Sequence, residues 1–246
     1  MQPHTDLPRA SHVPVIPERM TSLDLMCCRQ VTELPAGPDW IYEMKLRGFR
    51  VTALKSAEEA WLVSRNHLSL GEQFPEIIKA LQALPCDQAL VDGQLVALDE
   101  SGCVCGCPVE MSGRGQRPAA VGLVVFDLLE LDGRYMQGLP LGVRKQRMSA
   151  LLAGAPQGVV AAVDLAGTPQ DLLEQARMAG QPGIVAKRRD STYEEGRRTM
   201  EWLKCLVPAE AGQARSGFIT HFCVGQVKDV MPLKDESVRA RPECSA

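Results

Sequence analysis

Short segments rich in β-branched and aromatic residues recur from residue 40 to residue 206, and they limit how this chain folds more than any other feature. A tight connection at Gly48 separates the first two of them, as is typical of antiparallel strands. Helical spacing of apolar residues, with Thr168 as a possible cap, predicts helices between strands. This order predicts an α+β domain built on antiparallel sheets. The predicted strands are 40–45, 49–54, 61–64, 89–98, 121–131, 159–163, 183–187 and 200–206, and the predicted helices are 74–84, 144–152 and 168–178.

Composition excludes several classes of protein. The 246 residues are 45% hydrophobic and 23% charged, as in ordinary globular proteins rather than disordered chains. A net charge of −3 disfavours attachment to nucleic acid by bulk positive charge, although it leaves room for a local basic patch. We expect no membrane contact, because no apolar run approaches the ~20 residues that a spanning helix needs.

The nine cysteines favour a reducing cytoplasm, because their number is odd and their spacing is irregular. Alternation would place Cys103, Cys105 and Cys107 on one face of a strand, where three thiols and a fourth ligand could bind zinc. No second Cys-x-x-Cys or histidine pair accompanies them, so a loop with incidental cysteines is the favoured interpretation. The adjacent pair Cys27–Cys28 is an equally weak signal.

Five polar segments stand at strand ends within apolar surroundings. Taken singly, each residue in them has an ordinary explanation. Lys45 would be a solvated surface lysine, Phe126 a core residue and Arg65 a surface residue. Lys187 would be part of a solvated run of charges or a DNA contact. Their order and spacing carry more information than any one of them. The segments are Glu-Met-Lys-Leu-Arg-Gly-Phe-Arg at 43–50, Ser-Arg-Asn at 64–66, Asp-Gly-Gln at 92–94, Phe-Asp-Leu-Leu at 126–129, and Gly-Ile-Val-Ala-Lys at 183–187 followed by Trp-Leu-Lys at 202–204.

In this order the segments resemble the adenylation domain of ATP-dependent DNA ligases, and most of all the ligase module of bacterial end-joining ligases of the ligase D type. The run 190–198, with Asp-Ser-Thr-Tyr and Gly-Arg-Arg, is similar to the ligase D signature. The resemblance covers residues 40–206. It implies the covalent nucleotidyltransferase core (ATP-grasp-like), with two antiparallel sheets flanked by helices and a nucleotide cleft between them.

The resemblance also implies a role for each site residue. Lys45 would be the nucleophile that attacks the α-phosphate of ATP, so its amine must be neutral and its pKa lowered by burial and neighbouring cations. Glu43 would accept a hydrogen bond from the adenine amino group, and Phe126 would stack on adenine. Forked guanidinium donors suit phosphate and ribose, and lysines would stabilise charge at the α-phosphate. These cations are Arg50 and Arg65, then Lys187 and Lys204.

Four positions depart from the family pattern. Arg47 stands in place of an aspartate, Gln94 and Pro182 in place of glutamates, and Leu206 in place of a lysine. The family uses ATP with Mg²⁺, which binds through carboxylates and water. Three losses of a carboxylate remove the expected ligands, so we assign no residue to a metal. Arg47 is expected to help keep Lys45 neutral if both share a face, and Asp92 and Asp127 are candidates to compensate.

The expected domain organisation has three parts. Residues 1–36 would be an irregular lead-in on the surface, because prolines punctuate it and periodicity is weak. Residues 37–207 would be the adenylation domain. Residues 208–246 would be a remnant of the start of an oligonucleotide-binding barrel plus a loose tail, since a five-stranded barrel does not fit there.

Three functions remain open from the sequence. The first is an ATP-dependent ligase acting on nicked or broken duplex DNA in repair and recombination, with an end-binding Ku-type protein or a chain supplying the barrel as partner. The second is an impaired module that binds nucleotide or DNA ends without sealing them. The third, an RNA ligase or capping-type guanylyltransferase, is disfavoured by the Ser-Arg-Asn and 190–198 segments.

Overall fold

The computed structural model describes residues 15–99 and 120–208, with Gly102, Val104 and Val109 between them. The clustered cysteines Cys103, Cys105 and Cys107, and residues 209–246 of the proposed barrel remnant, lie outside the described residues. Four helices and ten strands occur in the described part of the chain. The helices are α1 (Glu18–Thr21), α2 (Pro75–Gln82), α3 (Leu141–Leu152) and α4 (Pro169–Met178); the strands are β1 (Arg29–Gln30), β2 (Trp40–Lys45), β3 (Phe49–Ser56), β4 (Glu59–Ser64), β5 (Gln88–Leu98), β6 (Ala120–Leu131), β7 (Arg134–Tyr135), β8 (Val159–Ala161), β9 (Gly183–Arg188) and β10 (Trp202–Leu206).

The strands form two sheets, which confirms the predicted α+β class. The smaller sheet has the order β1-β10-β9-β2, and the larger has the order β4-β3-β5-β6-β7 with β8 beside β6. Most pairs are antiparallel, as predicted. The two exceptions are β1 with β10 and β6 with β8, which run parallel.

Apolar side chains fill the space between the sheets and both outer faces. One cluster between the sheets contains Ile41, Leu54, Leu129 and Trp202. Helices α2 and α3 cover the larger sheet, and α4 packs Leu172 and other apolar residues on the smaller one. Thr168 caps α4, since its hydroxyl accepts a hydrogen bond from the Asp171 amide at 3.2 Å. This arrangement leaves the edge where the two sheets meet free for polar side chains.

The prediction that residues 1–36 lie on the surface is wrong for the segment from Met20 to Met26. Met20, Leu23, Leu25 and Met26 are buried in the cluster between the sheets. The burial was not predicted because the prolines of this region break any helical periodicity. The apolar residues between them nevertheless fill space between the two sheets. The chain then enters the smaller sheet as β1, a two-residue strand too short to be recognised from its sequence.

A fully buried ion pair joins α3 to the larger sheet. Arg144 and Asp127 have no exposed side-chain surface, and the guanidinium donates to both carboxylate oxygens at 2.7 and 2.8 Å. Arg144 also donates to the carbonyl of Ser191 at 2.9 Å. Burial raises the pKa of Asp127 even though Arg144 opposes the shift. Asp127 is therefore a structural residue whose oxygens are already used, and not a spare carboxylate for a metal.

We expect Arg144→Met to destabilise the fold by about 3–5 kcal/mol, because the variant leaves Asp127 buried without a counterion. Glu174→Gln is the matched control, since it removes an exposed ion pair with Arg177 on α4. Urea denaturation followed by tryptophan fluorescence measures both. Equal unfolding midpoints for the two variants would contradict the structural role of the buried pair.

Candidate active site

A cavity of about 270 Å³ opens where the two sheets meet, near the lower end of the range for ligand pockets. All seven residues predicted for the site line it. They are Glu43, Lys45, Arg50, Arg65, Phe126, Lys187 and Lys204. The sequence therefore predicted which side chains converge, while the role of each stays a prediction.

The register of the smaller sheet places the lysines together. Glu43 on β2 pairs with Val185 on β9, and Val185 pairs with Lys204 on β10. Side chains two residues apart share a face, so Lys45, Glu43, Lys187 and Lys204 all point to the cavity. Lys187 thus lies on the strand next to β2, and Lys204 lies one strand further away in the same sheet.

Gly183 is required beside Lys45 for a steric reason. It is the cross-strand neighbour of both Lys45 and Leu206, and its φ is +150°. A Cβ at this position would lie 2.1 Å from the carbonyl oxygen of Cys205. Only glycine fits such a close approach, which lets β2, β9 and β10 stay in register beneath the cavity.

The larger sheet contributes Arg50, whose position is fixed by Asp92. The guanidinium donates to the two carboxylate oxygens at 3.0 and 2.6 Å, and the Tyr193 hydroxyl donates to the same carboxylate at 2.8 Å. Asp92 raises the pKa of Arg50 and holds it charged, although burial opposes this. Asp92 is therefore a positioning partner within an ion pair rather than a free metal ligand.

Glu43 is a buried carboxylate shared by two ammonium groups. Lys187 Nζ lies 2.7 Å from one oxygen, and Lys145 from α3 contacts the other. Burial alone would raise the pKa of Glu43, but the two lysines lower it, so the group is ionised. Lys145 also pairs with Asp164 at 2.8 Å. The expected acceptor for the adenine amino group is thus already a salt-bridge partner in this structure.

Two aromatic rings enclose the Lys187 ammonium. Its Nζ lies 4.3 Å from the ring centre of Phe126 and 4.4 Å from that of Trp202, both within the range of cation–π attraction. The rings meet edge to face, with centres 6.3 Å apart. Phe126 is partly exposed and lines the cavity, so it is more than a core residue. Trp202 also lines the cavity but is buried in the cluster between the sheets.

The pKa of Lys45 is lowered from its ordinary value, in the direction predicted. Burial is the main cause, and the nearby charges of Lys204 and Arg50 add to it. Arg47 is not among the causes of this shift, and it does not meet the condition under which we expected it to help keep Lys45 neutral, a side chain on the same face. Strand β2 ends at Lys45, and the Arg47 Nε turns away to the carbonyl of Gly180 at 3.4 Å.

The other departures from the family pattern have different surroundings. Gln94 lines the cavity, and its Nε2 donates to the carbonyl of Leu46 at 2.8 Å, a bond that a glutamate could not make. Pro182 does not line the cavity; its carbonyl accepts from the Val207 amide at 3.0 Å. Leu206 is exposed in the same cross-strand row as Lys45.

Four further residues join the site that sequence reasoning did not assign to it. Arg198, Cys27 and Cys28 line the cavity, and Lys145 holds Glu43. Arg198 belongs to the Gly-Arg-Arg motif, which was a usable signal. Cys27 lies in the segment before β1 and accepts a hydrogen bond from Arg65 at 3.6 Å. Lys145 lies on α3 and contacts Glu43. No sequence pattern predicts either contact.

The cavity residues do not fit a divalent metal. Glu43 is the only carboxylate lining the cavity among the described residues, and both of its oxygens face ammonium groups. Across the part of the chain that the structure describes, no group of three or more His, Cys, Asp and Glu side chains is arranged to hold a metal. No helix in that same part is long and apolar enough to cross a membrane.

Comparison with known sequences identifies relatives of this cavity-bearing domain. A family model described as "ATP dependent DNA ligase domain" matches residues 26–205. The multifunctional non-homologous end joining protein LigD of Pseudomonas aeruginosa is 32% identical over 175 residues, which cover 71% of this chain and 21% of the relative. A probable DNA ligase of Beutenbergia cavernae is 30% identical over 181 residues, covering 70% of this chain and 35% of that protein. The chain thus spans about a fifth to a third of these two relatives.

Solved structures resemble the fold as well. The ligase domain from Mycobacterium tuberculosis LigD has a TM-score of 0.63 and 29% identity, covering 74% of this chain and 58% of that one. A mycobacterial DNA ligase D complexed with ATP and MES gives a TM-score of 0.62 and 27% identity, covering 75% and 60%.

We expect Lys204→Met to raise the pKa of Lys45, because it removes the positive charge that lowers this pKa most. The pH dependence of acetylation at Lys45, followed by peptide mass spectrometry, measures this pKa. Arg47→Gln is the matched control and leaves the pKa unchanged, since that guanidinium points to Gly180. If the pKa of Lys45 rises more in Arg47→Gln than in Lys204→Met, the assignment of the shift to Lys204 is wrong.

Proposed function

Because the chain belongs to the family of ATP-dependent DNA ligase domains, we propose that it is a ligase adenylation domain that transfers AMP from ATP to a 5′-phosphate at a DNA break. The observation that carries this proposal is the set of three lysines on one face of β2, β9 and β10, all of which line a cavity of about 270 Å³. The family match at residues 26–205 and the buried Met20–Met26 segment support a domain that begins before residue 37.

The first step uses Lys45 as nucleophile. Its neutral amine attacks the α-phosphorus of ATP, the bond to the β-phosphate oxygen breaks, and pyrophosphate leaves with that electron pair. The proton lost from the amine passes to solvent, and a lysine–AMP phosphoramidate remains. The lowered pKa of Lys45 supports this role, because it increases the neutral fraction at a given pH. The AMP then passes to a 5′-phosphate, and a 3′-hydroxyl displaces it.

The neighbouring residues bind and stabilise in this proposal. Lys204 and Arg50 lie close enough to Lys45 to affect its charge, which suits contact with the α-phosphate. Arg65 at the cavity wall suits the ribose or phosphates, and Phe126 suits the adenine ring. Glu43 and Lys187 form one buried pair, so we assign them first to holding the pocket in shape and second to contacting adenine and the α-phosphate.

The substrate and setting follow the relatives. We propose nicked or broken duplex DNA as the substrate, with a Ku-type end-binding protein or a separate barrel-bearing chain as a partner, because the LigD relative is named for non-homologous end joining. The family is ATP-dependent, and we propose ATP as the nucleotide. We propose a reducing cytoplasm as the setting, because the cysteines are odd in number and irregular in spacing.

The second candidate function is nucleotide or DNA-end binding without sealing. One observation favours it. Leu206 lies in the same cross-strand row as Lys45, at a position where the family carries a further cation. A nick-sealing assay separates the two candidates. Repeated turnover on nicked duplex supports the ligase, whereas adenylation without sealing supports the impaired module.

We expect incubation with α-labelled ATP to give an acid-labile protein–AMP adduct that Lys45→Ala abolishes, because the lowered pKa of Lys45 makes its amine available as the nucleophile. Lys79→Ala, on the exposed face of α2, is the matched control and retains the adduct. GTP in place of ATP tests the capping-type alternative and gives no adduct. Absence of an adduct with Mg²⁺, with Mn²⁺ and with neither would refute the adenylation step for this chain.

Alkylation of Cys27 provides an independent footprint of ligand in the cavity. Cys27 lines the cavity and contacts Arg65, whereas Cys86 lies elsewhere and is similarly half-buried. We expect ATP to slow the reaction of Cys27 with N-ethylmaleimide in proportion to the bound fraction, while Cys86 reacts at an unchanged rate. Peptide mass spectrometry measures both rates, and equal protection of the two thiols would argue against binding at this cavity.

A further inference from the structure

The charges around the cavity are strongly one-sided. Within the described residues, a single carboxylate lines it against six cationic side chains. Two of the six are neutralised, Arg50 by Asp92 and Lys187 by Glu43. The four without a carboxylate partner in the described part of the chain are Lys45, Arg65, Arg198 and Lys204.

The lone carboxylate is not available to a metal. Lys187 holds one Glu43 oxygen at 2.7 Å, and Lys145 holds the other. A Mg²⁺ ion that approached Glu43 would have to displace an ammonium group and would also meet the positive charges of Arg65, Arg198 and Lys204. Mg²⁺ prefers carboxylate and water oxygens in octahedral geometry, and dehydrates reluctantly. Binding of Mg²⁺ in this cavity is therefore disfavoured both by electrostatic repulsion and by the lack of suitable ligand geometry.

Gln94, which stands in place of a family glutamate, adds no negative charge to offset the excess of positive charge in the cavity. Gln94 donates its Nε2 to the carbonyl of Leu46 at 2.8 Å, which fixes the side chain against β2. One neutral amide oxygen is left as an acceptor. Asp92 and Asp127 do not help, because Arg50 and Arg144 occupy their oxygens.

We propose that the cavity binds ATP as the metal-free polyanion in preference to its Mg²⁺ complex. The inference rests on the proposed function, since it concerns the form of the same nucleotide. Mg²⁺ neutralises two of the negative charges of ATP, and those charges are what Arg65, Arg198 and Lys204 attract. Protein cations thus take over the phosphate neutralisation that a metal provides elsewhere.

Isothermal titration calorimetry of the full chain tests the preference. ATP is titrated in EDTA and in excess Mg²⁺ at equal ionic strength, with uncharged adenosine as the ligand control. We expect ATP to bind about tenfold more tightly in EDTA, and adenosine to bind equally in both buffers. Equal or tighter ATP binding in Mg²⁺ overturns the inference and leaves the proposed function standing, whereas no ATP binding in either buffer overturns both.

Variants at Gln94 test the electrostatic cause. Gln94→Glu places a carboxylate in the cavity, and we expect it to reduce the advantage of EDTA. Gln94→Met is the matched control: it also loses the bond to Leu46, but adds no charge, so it keeps the advantage. Loss of the advantage in both variants would assign the effect to the broken hydrogen bond and overturn the electrostatic explanation.

Discussion

The register of β2, β9 and β10 is the constraint on which the site depends. Cross-strand pairing sets Glu43, Val185 and Lys204 in one row, and the pleat then turns Lys45 and Lys187 to the same side. A shift of one residue in either pairing would turn these side chains toward the opposite face, where α4 packs. Gly183 allows this register because no side chain fits between β9 and the carbonyl of Cys205. The binding site is therefore a direct consequence of sheet geometry.

Electrostatics explains why such a concentration of positive charge is tolerated. Buried ion pairs neutralise the cations that lie deepest, Lys187 with Glu43 and Arg144 with Asp127. The cations nearer solvent have no carboxylate partner among the described residues, and burial together with neighbouring positive charge lowers the pKa of Lys45. Two kinds of charge are thus present in the domain. The buried charges form ion pairs that stabilise the fold, and the cavity cations without a carboxylate partner can bind an anion. This separation also explains why Asp92 and Asp127 do not replace the carboxylates that the family pattern leads one to expect.

Much of the fold was predictable because periodicity and turn residues report local structure. Strand β2 was predicted with its observed bounds, and the helix capped by Thr168 was also predicted. Residues Met20–Met26 were misassigned because burial between two sheets is a tertiary property that leaves no period in so short a segment. The site residues were predictable through ordered motifs. Lys145 was not, since its contact with Glu43 joins a helix and a strand 102 positions apart.

We propose that these cations surround the phosphates of one nucleotide. A crystal structure of the full chain grown with ATP tests this arrangement most directly. We expect density for the nucleotide between the two sheets, with the α-phosphate in contact with Lys45 and Lys204. A nucleotide bound elsewhere, or one whose phosphates point away from these two lysines, would contradict it.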